Sequence, residues 1–85
     1  MHSFIKNLIL DNLTFEIHFN EYYAPNGVRY FVVARERYGD SYCFNMKKQT
    51  DEWRIINAPI VQDLFLNNEK KLSDAIMDHQ KDHKR

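Results

Sequence analysis

Cys43 is the only thiol in the chain, and a thiolate beside a base is a nucleophile. If the segments around His18 and Cys43 are strands, the two side chains can share a sheet face. A Cys/His enzyme also needs donors for the developing oxyanion. The sequence encodes no strand-to-helix nucleophile elbow, and Gly39-Asp40-Ser41 lacks the Gly-x-Ser-x-Gly pattern. With two glycines in all, phosphate-cradling loops are absent as well. The expectation is therefore a non-enzymatic protein with no catalytic residue and no cofactor. His79 and His83 stand at i, i+4 with Asp78 and Asp82 beside them, a spacing at which two imidazoles can share a metal. No third ligand is evident and His79 falls on an apolar seam, so no metal site is expected.

A third constellation is basic and aromatic. Arg29, Arg35, Arg37, Lys47, Lys48 and Arg54 interleave with Tyr30, Phe31, Tyr38 and Tyr42. Aromatic rings exposed on a sheet stack unpaired bases, so single-stranded nucleic acid is one reading of this pattern. Glu16, Glu36, Asp40, Asp51 and Glu52 lie in the same region, and alternating charges across strands are ordinary solvent-face pairing. Tyr22-Tyr23, before Pro25, reads as the end of a core with its hydroxyls in water.

The bulk numbers narrow the choice. The chain has 85 residues, enough for one domain that buries roughly 60–65% of its surface on folding. Twelve basic residues balance 12 acidic ones, which argues against nonspecific nucleic-acid binding, a process driven by surplus Lys and Arg. One cysteine excludes an internal disulfide. The longest apolar run near the N-terminus, Leu8-Ile9-Leu10, is too short for a signal-peptide core or a membrane helix. The expectation is a cytoplasmic protein that does not enter a membrane.

Elements that must position these residues follow from periodicity. Residues 14–20 alternate Phe15, Ile17 and Phe19 with Thr14, Glu16, His18 and Asn20, the period of a half-buried strand. Residues 41–47 do the same with Tyr42, Phe44 and Met46. Between them residues 29–37 contain Tyr30-Phe31-Val32-Val33-Ala34, apolar on both faces as a central strand is. Trp53-Arg54-Ile55-Ile56 makes a further short strand. Residues 4–10 have mixed spacing; a strand paired with 14–20 through an Asp11-Asn12 turn is preferred to a helix. Asn26-Gly27 tolerates positive φ, and Gln49-Thr50-Asp51-Glu52 is of hairpin length.

From Pro59, a good first helical residue, the period changes. Ile60, Val61, Leu64 and Phe65 form one helical face; Leu72, Ala75, Ile76 and His79 form the next. Asn67-Asn68 interrupts them, with Asn68 a candidate N-cap. This gives two helices, or one kinked, over about 59–80, and a frayed tail over 81–85.

The hairpin register sets which sheet face is covered. A two-residue Gly39-Asp40 loop makes paired numbers sum to 79 and sets Arg35 opposite Phe44. A three-residue loop instead sets Tyr30, Val32 and Ala34 beside Tyr42, Phe44 and Met46. One slip turns every side chain to the other face. Gly at the loop's first position favours the two-residue form.

Phe44-x-Met46-Lys47-Lys48, Trp53-x-Ile55, Pro59 and Leu72-Ser73-x-Ala75-Ile76 follow one another in an order that resembles small, stand-alone bacterial proteins of uncharacterised role. In these a β-meander with an aromatic–Met–Lys–Lys strand and a short Trp strand precedes a helical segment. The resemblance spans about residues 14–79. It implies the fold and a bacterial setting, and brings no activity, substrate or cofactor.

The reading is an α+β domain spanning 1–85: a four- to five-stranded antiparallel meander over about 4–57 with one or two C-terminal helices packed on one face. Phe15, Ile17, Phe19, Phe44, Met46, Trp53, Ile55, Leu64, Phe65, Leu72 and Ile76 are the expected core. The uncovered face is expected to carry His18, Tyr30, Val32, Cys43, Asn45, Lys47 and Arg54 as a binding surface. A half-apolar open face marks an interaction module, acting on a protein partner or a second copy of the chain, with single-stranded nucleic acid as the alternative.

Overall fold

The computed structural model describes residues 2–56 and 61–82. Five strands, β1 (Ser3–Leu10), β2 (Leu13–Ala24), β3 (Gly27–Glu36), β4 (Ser41–Gln49) and β5 (Glu52–Ile56), precede two helices, α1 (Asp63–Asn67) and α2 (Glu69–Asp82). The strands form one antiparallel sheet in the order β1-β2-β3-β4-β5. The fold is α+β, a meander with C-terminal helices. Residues 4–10 are strand, and the helical segment is two helices. Pro59, Ile60, His83 and the end of the tail lie outside the described residues.

Local sequence explains the turns. Leu10 pairs with Leu13 across Asp11 and Asn12, whose φ values are 51° and 69°; Asp and Asn tolerate this region because their short polar side chains bond locally. Gln49 pairs with Glu52, and Thr50 sits at φ 58°. A β-branched residue has no such compensation. Thr50→Gly should therefore raise stability by about 0.5–1 kcal/mol, the strain relieved exceeding the chain entropy that glycine adds to the unfolded state. A rise in the urea midpoint checks this; a fall would mean that Thr50 makes an interaction worth more than its strain.

The β3–β4 register differs from the one favoured by sequence. Arg29 pairs with Lys47, Val32 with Phe44 and Arg35 with Ser41, so paired numbers sum to 76. Arg37, Tyr38 and Gly39 form a three-residue loop closed by the Glu36 N–H donating to Asp40 O at 3.1 Å and the Gly39 N–H to Glu36 O at 3.3 Å. At Gly39 an added Cβ would meet only the carboxylate end of the flexible Glu36 side chain, which can swing aside. This register lets Tyr30, Val32 and Ala34 join the aromatic parity of β4 and frees Arg35 from facing Phe44, a better outcome than any gain from Gly leading the loop.

The sheet is curled into a trough. Helix α2 hydrogen-bonds both outer strands, β1 and β5, which a flat five-stranded sheet would hold roughly 19 Å apart. The rings of Phe4 on β1 and Tyr30 on β3 have centroids 6.0 Å apart, and those of Tyr30 and Trp53 on β5 are 5.0 Å apart. The trough is lined by Leu10, Phe15, Ile17, Phe19, Tyr30, Val32, Ala34, Phe44, Met46, Trp53 and Ile55. Phe65 of α1 fills one end, with ring centroids 5.4, 5.3 and 5.1 Å from Phe15, Tyr42 and Phe44. Leu72, Ala75 and Ile76 of α2 complete the core, and Leu64 is half-buried against it.

Helix α2 also spans the gap between the two outer strands. Along β5 the N–H groups of Trp53 and Ile55 donate to Ser73 Oγ at 2.9 Å and Glu69 Oε2 at 2.7 Å. Along β1 the Ile9 carbonyl accepts from Lys71 Nζ at 2.9 Å, and His79 stacks on Phe4 at 3.8 Å. Asn68 stands at the N-cap position of α2, its carbonyl accepting the Lys71 and Leu72 N–H groups at 3.0 and 3.3 Å, while its side-chain amide donates to Leu64 O at 2.8 Å and Asp11 Oδ1 at 3.1 Å. This ties the junction between the helices to the first hairpin.

Candidate functional site

With the helices in the trough, the convex face is the uncovered one. The alternation of β2, β3 and β4 places His18, Asn20, Arg29, Phe31, Val33, Arg35, Cys43, Asn45 and Lys47 on it, opposite in parity to the buried Phe19, Val32 and Phe44. Five of the seven expected surface residues therefore lie there: His18, Cys43, Asn45, Lys47 and, on β5, Arg54. Tyr30 and Val32 do not. Both are buried in the trough, because the three-residue loop shifts the β3 parity, and their neighbours Phe31 and Val33 take the open positions. The signal that could have found them was in the sequence: only this register avoids Arg35 facing Phe44.

Rows of paired residues run across the face. One row is Ile5, His18, Val33 and Cys43; the next is Ser3, Asn20, Phe31, Asn45 and Ile56. Phe31, on the central strand, is 39% exposed, and Ile5, on the edge strand, 56%. His18 Nε2 lies 2.9 Å from Glu16 Oε1, and this hydrogen bond holds the Glu16 carboxyl below its ordinary range, with the charge of Arg35 adding to the effect. Asn45 is fixed by the Tyr22 hydroxyl, which donates to its Oδ1 at 2.9 Å. Cys43 and His18 are on β4 and β2, with β3 between them, hence roughly 9–10 Å apart at the backbone.

The third row is cationic. Tyr22 pairs with Arg29, Arg29 with Lys47 and Lys47 with Arg54. Arg54 is compensated, its Nε 2.7 Å from Glu69 Oε1. Arg29 and Lys47 are half-buried and have no ion-pair partner among the described residues. They reach the rim of the trough, where Lys48, Glu21, Asn26, Val28, Trp53 and Gln80 complete the wall of a cleft of about 400 Å³. A smaller recess of about 190 Å³ adjoins it, lined by His2, Glu21, Tyr30, His79 and Gln80. Burial pushes the Tyr30 phenol up, and the charge of Glu21 adds to this against a hydrogen bond from Gln80.

The aromatic partners of the basic set are dispersed. Tyr30 is buried, Tyr42 is half-buried in the trough against Phe65, and Tyr38 is exposed at the β3–β4 loop. Of this set Phe31 joins the cations on the open face, where the half-buried Tyr22 stands opposite Arg29. Trp53 fills the core. Among the described residues no group of three His, Cys, Asp or Glu side chains is placed to hold a metal, and no helix is long and apolar enough to cross a membrane. No protein family, curated protein or solved structure matches the chain.

Proposed function

We propose that the protein is a non-enzymatic interaction module that docks a protein partner on its convex sheet face, a second copy of the chain being the first partner to test. The observation that supports this is the apolar strip formed by Phe31 and Val33 on the central strand, beside Cys43 and flanked across His18 by Ile5, on a face that no element of the described chain covers. Burying such side chains contributes roughly 25 cal/mol per Å² of apolar area removed from water, and standing exposed they contribute nothing to the fold. Asn45 and Asn20 hold polar groups at the centre of the strip for orientation.

Sedimentation velocity from low to high micromolar concentration tests the self-association form. The wild-type chain should shift toward a dimer, while Phe31→Asp and Cys43→Arg should remain monomeric with unchanged circular dichroism. Both side chains point away from the core, so the fold survives the change. A wild-type monomer throughout the range overturns self-association.

Single-stranded nucleic acid is the second reading, motivated by Phe31 beside the Arg29–Lys47 pair. One exposed ring is a small platform, since base stacking contributes only about 1–3 kcal/mol per base. Absence of any anisotropy change for a labelled mixed oligonucleotide at low salt removes it.

A further inference from the structure

We infer that the cleft at the rim of the trough is a binding site for a small phosphate-bearing ligand, held by Arg29, Lys47 and Lys48. This does not rest on the open-face reading, because it uses none of the apolar residues Ile5, Phe31 and Val33.

Three observations carry it. First, the charges on the wall are unbalanced: Arg29, Lys47 and Lys48 face a single carboxylate, Glu21, which already accepts the His2 backbone N–H at 3.3 Å. None of the three cations has an ion-pair partner among the described residues, although the next residue in the row, Arg54, has one. Second, the arrangement works against the fold. Arg29 lies directly opposite Lys47, and Lys47 directly opposite Arg54; like charges at directly opposed positions destabilise a sheet. Removing Arg29 and Lys47 partly from water without a counter-charge adds to that cost. An anion in the cleft reverses both terms. Third, the cleft, about 400 Å³, has the volume of a small-molecule site. Asn26 and Trp53 also line it, and Trp53 Nε1 is a buried donor without a hydrogen-bond partner among the described residues.

The ligand class follows from the donors. A planar guanidinium grips two oxygens of one anion, and two ammonium groups add point charges around it. Three cations match the dianion of a phosphate monoester better than a single carboxylate. Gln80 brings the last turn of α2 to the cleft, whose dipole opposes an anion by about half a charge; three positive charges against the one carboxylate of Glu21 outweigh it.

The test uses the intact chain and inorganic phosphate as the probe. Thermal unfolding in phosphate is compared with sodium chloride at matched ionic strength. Phosphate should raise Tm by roughly 5 °C or more and saturate, as binding to the native state requires. Lys47→Thr should raise the Tm of the ligand-free protein by relieving the cationic row, yet abolish the phosphate response. Lys48→Ala should also abolish it. In NMR spectra the Trp53 indole N–H should move on phosphate addition. Equal Tm rises in phosphate and chloride would reduce the effect to charge screening and overturn the site, as would an intact response in Lys48→Ala. An oligonucleotide that binds without competition from phosphate would overturn a small ligand in favour of the nucleic-acid backbone. Phe31→Asp separates the two proposals: it should end association and leave the phosphate response intact.

Discussion

Phe65→Ala is expected to cost about 3–5 kcal/mol, the range for truncating a buried aromatic in a core that relaxes only partly. A chain of this length holds only about 4–13 kcal/mol in total, so the variant sits at the edge of unfolding at room temperature. The reason lies in what the ring touches. Phe65 comes from a helix of five residues, too short to be stable alone. Its ring meets Phe15 of β2 and Tyr42 and Phe44 of β4, and so seals one end of the trough across the intervening β3. Truncation leaves a cavity where three aromatic faces lose their partner. Tm should fall by roughly 10–40 °C, with Phe65→Leu falling much less because most of the volume is kept. A loss under about 1 kcal/mol would mean that the rings of β2 and β4 close over the gap by themselves.

The second large effect concerns the free edge of β5. Glu52 pairs with Gln49 at the hairpin, so the N–H groups of Trp53 and Ile55 point away from β4. Ser73 and Glu69 are one helical turn apart, a rise of roughly 6 Å, and alternate residues on a strand are spaced by roughly 6.6 Å. The helix runs antiparallel to the strand, and each acceptor meets one donor. Ser73→Ala removes the hydroxyl and leaves the Trp53 N–H buried without a partner, at a cost of about 1–3 kcal/mol. Ser73→Thr should retain most of the stability.

Glu69→Gln separates two roles. It keeps an oxygen for the Ile55 N–H and gives up the ion pair with Arg54, which is half exposed and should contribute about 0–1 kcal/mol. Glu69→Ala loses both. Native-state hydrogen exchange reads the difference directly, because the Trp53 and Ile55 amides should lose protection before those of β2 and β3. Unchanged exchange at Trp53 in Ser73→Ala would show that α2 does not guard the edge. The double variant Glu69→Ala/Ser73→Ala exposes an unpaired strand edge, and aggregation at high concentration is the expected consequence.

Much of this was legible in the sequence. Strict alternation in residues 14–20 and 41–47 made β2 and β4 strands, and it put Phe15, Ile17, Phe19, Phe44 and Met46 in the core. Asp11-Asn12 marked the first turn, and the change of period marked the two helices, although the first begins only at Asp63 and leaves Val61, expected on its apolar face, before it. The Trp53 parity placed that ring inside, so residues 44–55 form a hairpin whose aromatic residues serve the core. Its lysine pair straddles the rim: Lys47 follows the open face and Lys48 the trough.

What periodicity could not determine is parity between neighbours. Residues 29–37 are apolar on both faces, so their own pattern permits either register, and the length of the Arg37-Tyr38-Gly39 loop decided that Tyr30 and Val32 go inward and Phe31 and Val33 outward. The cleft was equally hidden. Glu21, Arg29, Lys48 and Gln80 come from four elements and meet only because the sheet curls and α2 spans its outer strands. The sequence by itself determined the elements and the alternation within each, since these depend on neighbours along the chain. Tertiary structure decided register, the open face and the rim cleft, because each depends on how loop closure and core packing set one element against another.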